Sequence, residues 1–146
     1  MDRDIEIMAK TIYGEARGEY KLPNGGINSL IAVGNVIINR TKLSKKSAVF
    51  ECLKPYQFSC WNNGDPNGLA IRNVSPGNII YGKCFIVAGR LLCGDLEEDV
   101  TNGATHYYSA RMRSPPFWAI NNQPTVQIGN HIFFNLSHKR SAIHKI

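Results

Sequence analysis

The sequence predicts an α+β fold in which a helical bundle comes first and a small antiparallel sheet, formed mainly by the C-terminal third, comes last. Three observations support this. Apolar residues recur at helical spacing in three segments before residue 95, and strand-like segments appear only after residue 104. Gly129-Asn130 lies between two such segments, as in a two-residue hairpin. At 146 residues, we expect one domain over residues 1–136 and a basic tail over 137–146.

The first helix is predicted from Arg3 to Arg17. Its core-facing stripe is formed by residues at helical spacing, namely Ile5, Met8, Ala9, Ile12 and Ala16. Gly18 is expected to end the helix. Glu15 falls on the flank of the stripe in line with Thr11, at the edge of the core. Gly14 implies either close helix packing or close approach of a ligand, because glycine inside a helix costs about 1 kcal/mol.

The remaining elements follow from apolar patterning and local signals. A helix over 26–41 is apolar around most of its circumference, and Gly34 within it indicates close approach of another helix. A short helix is predicted over 47–53. A third long helix opens at Ser75-Pro76 and ends near Gly94. Strands are predicted over 105–108, 125–128 and 131–134, whereas 65–68 is expected to be a turn and 95–99 a solvated acidic turn.

Composition excludes several classes of protein. Apolar residues make up 43% and charged residues 19%, as in soluble globular proteins. We expect no stable membrane insertion, because no stretch approaches the roughly 20 apolar residues of a membrane span. The first four residues lack the order of a signal peptide, so we expect a cytoplasmic product.

The net charge of +6 is compatible with an anionic partner. The cysteines form no Cys-x-x-Cys pair and are expected to be reduced.

No motif indicates a metal, a cofactor or nucleic acid. The histidines are dispersed, with no His-Glu-x-x-His, and the glycines fit neither a dinucleotide fingerprint nor a phosphate-binding loop. We therefore expect no cofactor, no metal and no nucleic-acid partner. A cysteine nucleophile, pairing Cys60 with His106 or His131, is an alternative that the sequence leaves open.

The position of Glu15 suits an acid that cleaves a glycosidic bond. Such an acid must be protonated, and a carboxyl half withdrawn from water keeps its proton to higher pH. Standard glycosidases need a second carboxylate, and Glu19 is the candidate nearby in sequence. The shortage of a clear partner favours a single-acid mechanism, completed by the sugar's own N-acetyl or 6-hydroxyl group. The bland alternative is that both glutamates are exposed helix-end charges neutralised by Arg17 and lysines.

Two blocks of sequence carry a family resemblance. Tyr13-Gly14-Glu15-Ala16-Arg17-Gly18-Glu19, followed by residues 32–40 (AVGNVIINR), resembles the cell-wall hydrolase family of spore-cortex-lytic enzymes. Later pieces agree in order: residues 57–59 with Trp61, residues 104–108, Trp118, and residues 128–134.

The resemblance implies a lysozyme-like α+β fold and cleavage of peptidoglycan glycan strands without a metal. It assigns the catalytic glutamate to Glu15 and a supporting role to Glu19, and we add Thr11 as supporting from its place on the helix. The positions expected around the substrate are Gln57, Phe58, Ser59, Trp61, His106, Tyr107, Tyr108, Trp118 and His131.

The resemblance leaves the reaction open between a lytic transglycosylase, which we favour, and a muramidase or glucosaminidase; a non-catalytic wall-binding module is the alternative of another class. A compact, basic, leaderless chain also resembles phage or prophage endolysins, bacteriolytic enzymes that accumulate in the host cytoplasm before release. We expect a monomer whose basic tail could engage the envelope.

Overall fold

In the computed structural model, which describes residues 2–137, five α-helices precede a three-stranded sheet. The helices are α1 (Asp2–Tyr20), α2 (Ile27–Ser44), α3 (Ala48–Leu53), α4 (Pro66–Arg72) and α5 (Ile79–Cys93). The strands are β1 (His106–Ser109), β2 (Val126–Ile128) and β3 (His131–Phe134), and 3-10 turns cover Ser59–Trp61 and Phe117–Ala119. The α+β prediction is confirmed. The predicted basic tail lies, apart from residue 137, outside the described residues.

Helix α1 is the centre of the bundle and packs against the other four helices. The predicted stripe is its buried face: Met8, Ala9, Ile12 and Ala16 are fully buried. Burial of an aliphatic side chain stabilises a fold by about 1.5–3 kcal/mol, so this face anchors the domain. The prediction that Gly18 ends the helix is wrong, because α1 continues to Tyr20. The added turn carries Glu19, whose side chain is held by the sheet.

Helix α2 is buried on most sides, as predicted, and runs one turn further than expected, to Ser44. Gly34 marks its crossing with α5: a Cβ there would lie 2.3 Å from Leu91 Cδ1. Helix α3 begins where expected, with Ser47 Oγ accepting a hydrogen bond from Phe50 N at 3.1 Å.

Two local predictions are wrong because side-chain caps start helices elsewhere than expected. Residues 65–68 do not form an isolated turn but open α4, where Asp65 caps the helix by accepting from Asn67 N at 2.8 Å. Helix α5 is capped not by Ser75 but by Asn78, whose Oδ1 accepts from Tyr81 N at 3.0 Å. Ser75 Oγ instead accepts from Gly77 N in a local turn.

The acidic run 95–99 ends in a bonded carboxylate rather than a wholly solvated turn. Asp99 accepts hydrogen bonds from Asn39 Nδ2 at 2.8 Å, Thr101 N at 2.8 Å and Gly103 N at 3.0 Å. Burial alone would raise the pKa of Asp99, but the hydrogen bonds from Thr101 and Asn39 outweigh it and hold the pKa below its ordinary value. The loop after α5 is thereby tied to α2.

The sheet has the strand order β1-β3-β2 and is antiparallel throughout. The hairpin between β2 and β3 is confirmed, with Gly129 at a φ of 61° in the first central position, where glycine is favoured. Alternation along β1 and β3 gives the sheet two different faces. Tyr107 and Phe133 pack on the helical core, whereas Phe134 joins Trp118, Ala119 and Leu136 in a second cluster.

None of the helices in the described part of the chain is long and apolar enough to cross a membrane. The four cysteines are free thiols, and Cys93 alone among them is exposed.

Alanine substitutions at two glycines of α1 distinguish close packing from mere helix propensity. A Cβ at Gly14 would lie 2.7 Å from Cys60 Cβ and 2.9 Å from Ile71 Cγ2, whereas one at Gly18 meets nothing within 4 Å. We expect Gly14→Ala to destabilise the protein by about 1–3 kcal/mol through overpacking. Gly18→Ala should stabilise it by about 0.5–1 kcal/mol. Urea unfolding of both variants measures this, and equal effects at the two positions would contradict the packing role of Gly14.

Candidate active site

Glu15 is a half-buried carboxyl group on α1 held by donors from two distant segments. Its Oε1 accepts from the Tyr107 hydroxyl at 2.6 Å, and its Oε2 accepts from Cys60 N at 3.0 Å. Ser59 Oγ lies 3.4 Å from Oε2, a longer and weaker contact. These donors fix the orientation of the carboxyl group while it remains open to a cleft.

The turn at 59–61 brings two of these donors to α1. Trp61 Nε1 donates to Thr11 Oγ1 at 2.8 Å, and Thr11 is itself fully buried, donating to Ile7 O at 2.8 Å. One helical turn further along α1, Gly14 lets the turn approach closely. Of the two explanations for this glycine, the structure therefore favours close packing. Thr11 supports the site indirectly, by holding the turn.

The cleft beside Glu15 has a volume of about 260 Å³. It is lined by Glu15, Ser59, Asn67, Tyr107, Tyr108, Ser109, Met112 and His131. Among these described residues Glu15 carries the only carboxyl group. The structure thus brings together four residues predicted around the substrate, Ser59, Tyr107, Tyr108 and His131.

Tyr107 and His131 reach the cleft because they lie on the same face of adjacent strands. Their rings are 4.6 Å apart, and His131 pairs with Ser109 across the sheet. Burial raises the pKa of Tyr107 well above its ordinary value, and the adjacent Glu15 raises it further. The hydroxyl therefore stays protonated and acts as a hydrogen-bond donor.

His131 is a buried histidine in its neutral form at neutral pH. Burial lowers the pKa of His131 to about 4, and this effect outweighs the opposing one of Glu19. Within the described part of the chain its Nδ1 has no hydrogen-bond partner. A buried polar atom left unpaired costs about 1–3 kcal/mol. The ring instead packs against the rings of Tyr107 and Phe133.

Glu19 does not face Glu15 across the cleft but binds the tip of the β2–β3 hairpin. Its Oε1 accepts from Asn130 N at 2.5 Å, and a Cβ on Gly129 would lie 2.6 Å from the same oxygen. Asn24 strengthens this junction, since its backbone oxygen accepts from Gly129 N at 3.0 Å. The position of Glu19 is that of a residue that holds β3, and with it His131.

The Cys60 thiol is buried beside the site but is not activated as a nucleophile. Burial raises the pKa of Cys60, and the nearby Glu15 raises it further. A thiolate is needed for nucleophilic attack, so this geometry disfavours the cysteine mechanism. No group of three or more His, Cys, Asp or Glu residues within 2–137 is placed to hold a metal ion.

Gln57 and Phe58, predicted around the substrate, are buried away from the cleft beside Arg40. The fully buried Arg40 donates from Nε to Thr105 O at 2.7 Å and from Nη1 to Gln57 Oε1. Its guanidinium lies 6.0 Å from the Phe58 ring. Burial lowers the pKa of Arg40 to about 10, and Glu51 partly offsets this. The Gln57-Phe58 pair therefore joins the turn to α2 and β1, and neither side chain lines the cleft beside Glu15.

His106, Trp118 and Trp61 also lie outside the cleft lining. His106 is fully buried, and its ring lies 4.9 Å from that of Trp118 at an interplanar angle of 60°, on the sheet face turned away from Glu15. Trp118 is 5% exposed within the second cluster, and Trp61 Nε1 donates to Thr11 Oγ1. Direct contact with substrate is therefore not expected from His106 or Trp118 in this conformation.

Three residues of the cleft were missed in the sequence. Asn67 lies in the first turn of α4, and the Asp65-Pro66 cap could have revealed that helix. Ser109 continues the face of β1 that carries Tyr107, which strand alternation could have shown. Met112, 51% exposed, gives no sequence signal for its place in the cleft.

Comparison with known proteins assigns the chain to a family. Residues 26–134 match the Cell Wall Hydrolase family. The chain therefore belongs to the Cell Wall Hydrolase family, which confirms the resemblance predicted from the sequence. A spore cortex-lytic enzyme of Halalkalibacterium halodurans is 30% identical over 140 residues, covering 92% of this chain. The chain spans 35% of the length of that relative.

Two solved structures share the fold. The catalytic domain of the Bacillus cereus SleB protein aligns with a TM-score of 0.66 at 20% identity, over 92% of this chain and 91% of the other. The catalytic domain of the germination-specific lytic transglycosylase SleB from Bacillus anthracis aligns with a TM-score of 0.66 at 23% identity, over 92% and 96%. The lysozyme-like α+β prediction is confirmed by this similarity of fold.

The stability of the protein should depend on the protonation of His131. The folded-state pKa of about 4 lies below the value of about 6.5 expected when unfolded, so the unfolded chain binds the proton first. This contribution is unchanged above pH 6.5, and stability falls between about pH 6.5 and pH 4, by up to about 1.4 kcal/mol per pH unit. The difference between parent and His131→Gln in urea unfolding should show this slope. Parallel curves for the two proteins would contradict it.

The anchoring role of Glu19 predicts a stability effect. Removing the acceptor for Asn130 N by Glu19→Ala should cost about 1.5–3 kcal/mol, the range for a bond to a charged group, and Glu19→Gln less because its amide oxygen can still accept. Glu6→Ala is the matched control on the same helix, since Glu6 forms an exposed pair with Lys10 that contributes little. Equal unfolding midpoints for Glu19→Ala and Glu6→Ala would exclude the anchor.

Proposed function

We propose that this protein cleaves peptidoglycan glycan strands between N-acetylmuramic acid (MurNAc) and N-acetylglucosamine (GlcNAc), as a lytic transglycosylase with Glu15 as its catalytic acid. The observation that carries the proposal is the single carboxyl group among the described residues of the cleft, fixed by Tyr107 and Cys60 N. The relatives support it in two ways. The family is described as cell wall hydrolases, and the Bacillus anthracis protein as a lytic transglycosylase.

A single carboxyl group can carry out both proton transfers of this reaction. Protonated Glu15 gives its proton to the glycosidic oxygen as the C1–O bond of MurNAc breaks. The resulting carboxylate accepts the proton of the MurNAc 6-hydroxyl as that oxygen bonds to C1. The products are a 1,6-anhydro-MurNAc end and a free GlcNAc hydroxyl, without consumption of water.

The hydrogen-bond donors to Glu15 stabilise the negative charge that develops on its carboxyl group as it gives up its proton. Tyr107 OH and Cys60 N each direct a hydrogen toward an oxygen of the carboxylate that remains after proton transfer. Preorganised donors of this kind stabilise developing charge without rearrangement. The neutral, aromatic side of the cleft, with Tyr107 and Tyr108, offers ring faces to a sugar.

Hydrolysis by a muramidase or glucosaminidase is the alternative within glycosidases. It requires a second carboxylate about 5–9.5 Å away that acts as nucleophile or activates water. The candidate from the sequence, Glu19, has Oε1 bonded to Asn130 N. This geometry favours the single-acid scheme. Product analysis tests it, since anhydro-MurNAc ends support the proposal, and reducing MurNAc or GlcNAc ends would replace it by a muramidase or a glucosaminidase.

Glu15→Gln separates the enzyme from a non-catalytic wall-binding module. The change keeps the shape of the side chain but removes the acid, so we expect the rate of clearing of purified peptidoglycan to fall by a factor of about 10²–10⁴. Glu6→Gln, an exposed change on the same helix, should leave the rate unchanged. Clearing by the Glu15→Gln protein at the parent's rate, with its fold verified by circular dichroism, would refute the catalytic assignment.

A further inference from the structure

A second depression adjoins the cleft at the C-terminal end of α1. It also has a volume of about 260 Å³, and Glu15 and Asn67 line both depressions. Its other lining residues include Arg17, Glu19 and Lys21. Glu15 thus lies at the boundary between two adjacent binding spaces, the arrangement expected when a bond joining two sugars must lie across the acid.

The two depressions differ in charge. Apart from Glu15, the first is lined by uncharged side chains, including the neutral His131. The second contains two cations, Arg17 and Lys21, neither of which forms an ion pair with any residue between 2 and 137. Arg17 makes a long 3.4 Å contact from Nη1 to Gly14 O and lies 5.4 Å from the Tyr13 ring.

The carboxylate of Glu19 lines the same depression but is not paired with its cations. Its Oε1 accepts from Asn130 N at the hairpin tip, and within residues 2–137 it forms no ion pair with Arg17 or Lys21. Glu15 must be protonated, and so uncharged, to act as an acid. Arg17 lies in the last turn of α1, Lys21 directly follows the helix, and both line the second depression, so both can approach the same ligand group. A guanidinium beside an ammonium is a site for a carboxylate.

The two sugars of the glycan differ in charge, as the two depressions do. GlcNAc carries no ionic group, whereas MurNAc carries a lactyl ether that ends in a carboxylate or in an anionic stem peptide. We infer that Arg17 and Lys21 are specificity-determining residues that bind the lactyl-linked anionic group of MurNAc. This places MurNAc in the second depression and GlcNAc against Tyr107 and Tyr108. The inference rests on the proposed function and adds the direction in which the strand lies.

Equilibrium binding to the Glu15→Gln protein, in which the ligand stays intact, tests the inference. Two probes differ in charge only: a GlcNAc–MurNAc tetrasaccharide with free lactyl carboxylates, and the same tetrasaccharide with these converted to methylamides. We expect the anionic probe to bind more tightly. Adding Arg17→Gln and Lys21→Gln should raise its Kd roughly tenfold or more, as for loss of a charge-assisted contact, and change that of the amide less than twofold.

A matched control separates local recognition from overall charge. Arg3→Gln with Arg90→Gln removes two positive charges from exposed sites away from Glu15, and should change both Kd values less than twofold. Equal losses in the two double variants, or for the two probes, would overturn the inference. So would anionic and amide probes that bind the Glu15→Gln protein equally.

A separate experiment distinguishes failure of this inference from failure of the proposed function. Cleavage of the anionic tetrasaccharide by the unaltered protein, followed by mass spectrometry, tests catalysis separately. Cleavage without the expected Kd pattern refutes the role of Arg17 and Lys21 alone. The Kd pattern without cleavage upholds that role and refutes the catalytic proposal, and absence of binding by either probe refutes the inference.

Discussion

The close contact between α1 and the turn at 59–61 is the constraint on which the site depends. Gly14 leaves no side chain between the helix and Cys60, and one residue later Glu15 accepts the hydrogen bond of Cys60 N. The two features are coupled, since a backbone donor can reach a helical side chain only if its chain lies against that helix. Thr11 and Trp61 close the same contact one turn earlier. A single stretch of α1 thus provides both the carboxyl group of Glu15 and the surface that positions its donors.

The buried Arg40 helps to hold Tyr107, the side-chain donor to Glu15, in place. It joins Gln57 to Thr105, which precedes the strand carrying Tyr107. A buried guanidinium is costly to desolvate and is tolerated only with its hydrogen bonds made, so the segments that supply them are strongly specified. Residues 40, 57 and 105 lie in the sequence blocks that resemble the family, and they do not line the cleft.

Local patterns predicted the order of the elements, and long-range geometry limited the prediction of the site. The helical stripe of α1, Gly34 and the Gly129 hairpin each depend on a few neighbouring residues, and each was foreseen. Capping was less predictable, because Ser75 and Asn78 both suit a helix start and tertiary packing selects between them. The separation of Tyr107 from His106 follows from strand alternation, but which face meets Glu15 depends on packing between residues 92 positions apart. No local rule gives that distance.

The two glutamates of the opening motif show how spacing alone can mislead. Glu15 and Glu19 are one turn apart and chemically identical, yet only the first faces the cleft with Tyr107 as its donor. Because α1 extends past Gly18, Glu19 is carried to the hairpin, where Asn130 N uses one of its oxygens. That contact fixes the start of β3 and hence the ring of His131 opposite Tyr107. The motif therefore joins the carboxyl group bonded to Tyr107 to the strand that completes its cleft.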